Sequence, residues 1–229
     1  MRLQDILFSQ GFGTRYDCAA LVASGGVCIT DVVHDDPLED VATDGLVFTA
    51  LGADWPYREK AVIAMNKPAG YECSMKPSAH PSVMTLLPGP LRRRNMQPVG
   101  RLDVDTTGLL IFTDDGAFQH RLIHPKRHVQ KIYEAVCRHP IDGTTCEKLL
   151  SGVVLDDDPK PVAALAAEAI DAHHLRLTLV QGKYHQVKRM IAACSNRCDA
   201  LHRSGFGAYR LPDTLKPGEW VWIEKSDIL

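Results

Sequence analysis

Gly100-Arg101-Leu102-Asp103-Val104-Asp105-Thr106-Thr107-Gly108-Leu109-Leu110-Ile111-Phe112-Thr113-Asp114-Asp115-Gly116 passes from a polar loop straight into a short apolar run closed by a second polar cluster. A short apolar run bounded by glycines predicts a strand in the core of a sheet. Asp103 then sits in a loop at the rim of that core, where a carboxylate can be held with few waters and put to use. For a loop aspartate taken alone, capping a neighbouring turn is the commoner role. Asp114-Asp115-Gly116 reads as the turn that ends the strand.

Three further stretches bear on the same region. Gln181-Gly182-Lys183-Tyr184-His185-Gln186-Val187-Lys188-Arg189-Met190-Ile191-Ala192-Ala193-Cys194 reads as a turn followed by an amphipathic helix. Tyr184, Val187, Lys188 and Ile191 follow i, i+3, i+4, i+7 spacing and so share one face. A lysine on an inward stripe needs an anion, and Asp103 is the natural candidate. A lysine that snorkels to the helix edge fits the same spacing. Gln130-Lys131-Ile132-Tyr133-Glu134-Ala135-Val136-Cys137 alternates as a strand, with Tyr133, Ala135 and Cys137 on one face. Val62 to Lys67 reads as a strand that stops at Pro68 and turns at Gly70.

Taken in order, N-K-P-x-G-Y, G-R-L-D-x-x-T-x-G-L-L, K-x-Y and G-x-Y-H-Q-V-K-R-M closely resemble the pseudouridine synthases of the RsuA type. The resemblance runs from about Val62 to the C-terminus. T-D-D-G, then H-R, then K-x-Y look most like the enzymes that act on small-subunit (16S) ribosomal RNA. Large-subunit (23S) enzymes are the alternative, weakly opposed because the sequence stops soon after Pro217-Gly218-Glu219-Trp220 without a long basic tail. A third reading is a ribosome-assembly RNA-binding protein without catalysis.

The resemblance implies an isomerase that breaks the N1–C1′ bond of a uridine, turns the base over and rejoins it through C5. It puts the catalytic aspartate at Asp103, acting as nucleophile or as base at the sugar. The basic residue opposite falls on Lys188, with Arg189 second, and the tyrosine that stacks on the uracil falls on Tyr133. Arg101 matches a position that fills the space left by the extruded base, which offsets part of the cost of unstacking. Asn66, Lys67 and Gly70, with Thr106 and Gly108, match positions that support the active-site loop. The chemistry requires no cofactor and no metal. Asp103, Asp105, Asp114 and Asp115, and likewise His120, His124 and His128, lack a recognised ligand spacing.

The 229 residues carry a net charge of −2, unevenly spread. Residues 1–57 hold two basic residues against nine acidic ones, a net of −7, and residues 58–229 hold 24 against 19, a net of +5. Arg92-Arg93-Arg94 lies just upstream of the motif loop and is suited to holding RNA phosphates. No apolar stretch approaches the ~20 residues of a membrane span. Seven cysteines without C-x-x-C spacing fit free thiols in a reducing cytoplasm.

Residues 1–57 are similar to the S-four-type RNA-binding domain, with two short helices, a Gly25-Gly26 turn, two strands and Arg15 in place. The departure is the run of acids from Asp31 to Asp44. Gly52 to Lys60 reads as a linker, with Trp55 and Tyr57 packing one domain against the other. Residues 58–229 form the catalytic domain, α+β, with a mixed, largely antiparallel sheet and flanking helices. A helix is expected near 142–152, with strands at 162–170, 175–180 and 220–224. Leu201 to Leu211 falls near the site, and His202 and Arg203 have no assigned role. The expected partner is ribosomal RNA within a small-subunit assembly intermediate, bound by a monomer and away from any membrane.

Overall fold

The computed structural model describes residues 1–156 and 158–229. They form two units: Met1–Ala61 with Leu87–Gln97, and Val62–Leu86 with Pro98–Leu229.

In the first unit, α1 (Leu3–Ser9) and α2 (Arg15–Ala23) precede a four-stranded antiparallel sheet of β1 (Val27–Ile29), β2 (Val32–Val33), β3 (Val47–Ala50) and β4 (Ala53–Pro56). The sheet order is β2-β1-β3-β4. A capping box between Thr14 and Asp17 starts α2 by satisfying N–H groups that a helix end leaves open. The expected linker therefore contains a strand. Trp55 is buried against Phe12, its indole N–H donating to Ala50 O at 3.2 Å.

The division falls at Ala61/Val62, four residues past the expected boundary. α3 (Gly89–Arg93) also belongs to the first unit. Adding residues 58–61 and 87–97 brings five basic residues against one acid and eases the unit's net charge from −7 to −3.

The second unit starts with β5 (Val62–Lys67), and the chain re-enters it through the short β6 (Gln97–Pro98). β7 (Thr107–Thr113) follows, then α4 (Gly116–Ile123), β8 (Lys131–Cys137), α5 (Gly143–Ser151), β9 (Val153–Leu155) and β10 (Asp158–Val162). β11 (Ala166–Ala169), β12 (His174–Leu179), α6 (Gln186–Ala193), β13 (Cys198–Phe206), β14 (Tyr209–Arg210) and β15 (Trp220–Trp222) complete it. The main sheet runs β11-β12-β8-β13-β7-β5-β15, antiparallel except where β13 lies parallel to β7. This is the expected mixed, largely antiparallel sheet.

Every residue of β5 and six of the seven in β7 are buried, so both strands are covered on two faces. Burying each large side chain is worth about 1.5–3 kcal/mol, which makes this pair a rigid base for the loops at its ends. One core lies under α5 and α6, around Leu149, Leu177 and Ile191; another lies under α4, around Ile111, Phe118 and Phe206. Asp115 is the N-cap of α4, accepting from Phe118 N, rather than part of a free turn. The expected strand at 162–170 is split, with β10 ending at Val162 and β11 starting at Ala166.

Candidate active site

Where β5 ends, Lys67 is fully buried. Its Nζ donates to the carbonyl oxygens of Pro68 (3.0 Å), Asp103 (3.1 Å), Val104 (3.3 Å) and Thr106 (2.9 Å). Four acceptors thus share three N–H donors, and the loop before β7 is folded around one ammonium. Burial pulls the Lys67 pKa down, opposed by Cys73, Asp105 and Asp103 nearby. Gly70, at φ +89°, adds a bond from its N–H to Val104 O at 2.8 Å. Asn66 ties β5 elsewhere, donating to Leu215 O at 2.8 Å. Lys67, Gly70 and buried Thr106 thus belong to the scaffold of the Asp103 loop, while Asn66 bonds the Leu215–Glu219 segment instead.

Gly108 is required by close approach. Its φ is +101°, and a Cβ there would meet Arg203 O at 2.4 Å where β7 pairs in parallel with β13.

The loop presents Asp103 to α6. Lys188 Nζ lies 3.2 Å from Asp103 Oδ2 and 2.6 Å from Asp105 Oδ1. The Asp103 and Lys188 side chains are 29% and 24% exposed, so the pair is partly dried rather than buried. Burial alone would lower Lys188; its hydrogen bonds and the charges of Asp105 and Asp103 outweigh that and raise its pKa. Asp105 is lowered, chiefly by its hydrogen bond from Lys188. The inward lysine expected from the helix spacing does meet Asp103, and Asp105 is a second, nearer partner that spacing alone did not separate from it.

His185 also faces the carboxylate, its Nε2 3.4 Å from Asp103 Oδ1. It holds a left-handed backbone at φ 47°, a conformation that non-glycine residues adopt at a cost and that clusters at functional sites. Tyr184 does not share the inward face expected of it. The helix begins only at Gln186, and Tyr184 is 75% exposed, stacked on His185 with ring centres 3.8 Å apart. Arg189 donates to Tyr184 O at 3.1 Å, holding the same turn.

These groups open onto a cleft of about 1120 Å³ in the second unit. Arg101, Asp103, Asp105, Tyr133, His185 and Lys188 line it, together with Lys131, Arg203 and Phe206. Tyr133 comes from β8, half-buried, with Ala135 and Cys137 running along the same face into the core. Arg101 is exposed. Sequence reasoning places Lys131 on a strand and in the K-x-Y motif without a role, and leaves Arg203 unassigned because no apolar alternation marks Cys198–Phe206 as a central strand.

The remaining predicted residues belong to the first unit. Arg15 stacks on Phe8 at 4.2 Å and lies 3.4 Å from Asp5. Arg92 and Arg93 are exposed. Arg94 turns inward, bonding Gln10 and donating to Arg58 O at 2.7 Å and Glu59 O at 3.3 Å. Among the described residues no group of three or more His, Cys, Asp or Glu is arranged to hold a metal ion, and no helix is long and apolar enough to cross a membrane.

Residues 61–193 match the family described as RNA pseudouridylate synthase. A ribosomal small subunit pseudouridine synthase A of Vibrio vulnificus is 34% identical, over 100% of this chain and 98% of its own. The protein of that name in Yersinia pestis is 40% identical over 72% of this chain and 69% of its own. A solved structure titled as a pseudouridylate synthase superposes with a TM-score of 0.70 at 29% identity, covering 100% of this chain and 98% of the other.

Proposed function

This chain belongs to the RNA pseudouridylate synthase family, and from that membership we propose that it converts a specific uridine of small-subunit (16S) ribosomal RNA to pseudouridine, with Asp103 acting at the sugar. It is an RNA pseudouridine synthase, and the reaction is an isomerisation. The N1–C1′ bond breaks with its electron pair leaving on the ring, the base turns over, and C5 bonds to C1′. C5 then loses a proton and N1 gains one, so atoms and charge balance without oxidant or water.

The observation that carries the site assignment is the Asp103–Lys188 contact of 3.2 Å in a cleft also lined by Tyr133. The contact sets the Lys188 ammonium against the carboxylate that attacks C1′ or takes the C2′ proton. Tyr133 offers a flat face for the uracil and a hydroxyl for the C5 proton. Arg101, exposed beside the cleft, is suited to the gap that the extruded uridine leaves in the stack.

The small-subunit target is supported by the names of the relatives, and by nothing in the cleft that selects one uridine. The first unit is assigned as an S-four-type RNA-binding domain, on its two helices beside an antiparallel sheet and its exposed Arg15, Arg92 and Arg93. The same reading has a monomer acting in the cytoplasm on an assembling particle. Pseudouridine mapping of ribosomal RNA from cells lacking the gene tests it. One 16S position that is lost, and returns with wild type but not with Asp103→Asn, is the expected result. A lost 23S position redirects the target, and rescue by Asp103→Asn removes the catalytic assignment.

A further inference from the structure

Among the described residues, two cations in the cleft wall besides the exposed Arg101 have no counter-ion. Arg203 is 1% exposed on β13; its Nε donates to Leu109 O at 2.8 Å, and its buried Nη2 has no partner among the described residues. Lys131, on β8, uses one of its three donors on Val129 O at 3.1 Å. Both cations lie over the ring of Phe206, at 5.4 Å for Arg203 and 5.6 Å for Lys131.

Strand register explains their meeting. Arg203 pairs with Tyr133 across β13 and β8, and Phe206 pairs with Lys131 two residues along. Lys131 and Tyr133 therefore share a face by the two-residue period, beside Arg203, and all four residues line the cleft.

Two like charges out of water are costly unless an anion or oxygen acceptors meet them. Lys131 records that cost: burial, and then the charge of Arg203, pull its pKa down to about 8. No carboxylate contributes to that shift. Asp103 is engaged elsewhere, by Lys188 and His185.

We propose that Lys131 and Arg203 form a second cationic centre that binds the uracil ring through its oxygens and holds the negative charge the ring carries between leaving C1′ and returning to it. The assignment rests on the reading of Asp103 as the group acting at the sugar. When the N1–C1′ pair departs with the base, its charge spreads over N1, O2 and O4. C1′ is meanwhile bonded to the carboxylate, or the carboxylate has taken the proton from C2′ and that C–H pair forms a C1′=C2′ double bond. The cation pair gives and takes no proton. It is a fixed field at the place where charge develops, and such groups act most strongly where water is excluded. The charge is discharged when C5 bonds to C1′. Tyr133, which lines the same cleft, keeps its role at the C5 proton.

The test is single-turnover release of tritium from C5-labelled uridine in small-subunit ribosomal RNA, free and in assembling particles. Wild type, Lys131→Met, Lys131→Arg, Arg203→Lys and Asp103→Asn are compared, with the melting temperature and RNA affinity of each. Lys131→Met keeps the apolar stem and removes the charge. It should slow the step about 10²–10³-fold, the usual cost of losing one charge-stabilising donor, while RNA affinity and folding hold. Lys131→Arg should recover to within about tenfold. A Lys131→Met protein that turns over at the wild-type rate while Asp103→Asn is dead overturns the cation pair alone. A slow Lys131→Met that has also lost melting temperature, with Lys131→Arg and Arg203→Lys equally slow, assigns the pair to folding instead. If Asp103→Asn retains turnover, the reading of the site falls and takes this assignment with it.

Discussion

Lys67 Nζ donates to the carbonyl oxygen of Asp103 across 3.1 Å, so the proposed catalytic residue is positioned through its backbone by a buried ammonium. Its side chain is left free for Lys188 and His185. Removing the peg strands carbonyls in a dry site, at about 1–3 kcal/mol for each that water cannot reach. Lys67→Met should therefore lose about 2–4 kcal/mol of stability by urea unfolding. Its turnover should fall at least a hundredfold even at temperatures where it is folded. Unchanged stability and rate would show that the loop holds its shape without the peg.

Asp105 and Asp103 both meet Lys188, but only one is placed to act on the sugar in our reading. Asp103→Asn should abolish tritium release, while Asp105→Asn should slow it by less than about tenfold, since an exposed ion pair is worth about 0–1 kcal/mol. The pH dependence follows from the sign of the shift. Asp105 is lowered below its ordinary value, so its pairing is in place above pH ~4 and fades as the pH falls through the depressed value. Asp105→Asn should remove that contribution to the acid limb of stability. Equal loss of activity in the two variants would contradict the division of roles.

Gly108→Ala tests the parallel pairing of β7 with β13. The new Cβ would meet Arg203 O at 2.4 Å, from a backbone at φ +101°. Strain and overpacking should together cost more than about 2 kcal/mol. Gly116→Ala, where an added Cβ meets nothing within 4 Å, is the matched control. Urea unfolding of both should separate them clearly.

Lys131→Met makes a thermodynamic prediction independent of catalysis. Lys131 is held near pKa 8 in the folded chain, against 10.5 ordinarily. The unfolded chain therefore binds more protons between those values, and stability gains from this residue as pH rises through the window. Below pH 8 the full penalty of a buried charge is present, and Lys131→Met removes it. The variant should melt higher than wild type at pH 7, and the gap should close as the pH approaches 10.5. A variant that melts lower at pH 7 would mean that the ammonium contributes more through Val129 and Phe206 than burial costs.

The three neighbouring arginines should behave differently. Arg92 and Arg93 are exposed, so replacing both with Ala should leave the melting temperature unchanged while weakening RNA binding. The slope of affinity against salt should fall by about one unit for each phosphate that is no longer neutralised. Arg94→Ala should instead lower the melting temperature, because Gln10 and the carbonyls of Arg58 and Glu59 lose their donor. A salt titration and a melting curve on the two variants distinguish these roles.

Much of this molecule is legible along the chain because the signals are local. Apolar run length predicts β7, proline and glycine end β5, and alternation gives β8 its inward face. A lysine on an inward helical stripe asks for a carboxylate, so the spacing offers Asp103 as one partner for Lys188, without separating it from Asp105 or from a snorkelling lysine. The motif order carries the family and its chemistry.

What tertiary structure alone decided depends on pairing between distant segments. Arg203 faces Tyr133 only because β13 lies between β8 and β7 in one register, and a one-residue slip would send its guanidinium to the other face. The polar Cys198–Phe206 run shows no alternation that would reveal this, because it packs against neighbours chosen from elsewhere in the chain. The return of Leu87–Gln97 to the first unit, β4 within a linker-like stretch and the exposure of Tyr184 are of the same kind. Local periodicity sets which face of an element is apolar. Which partner that face meets, and so which charges end up together in a dry cleft, is set by the contacts that close the fold.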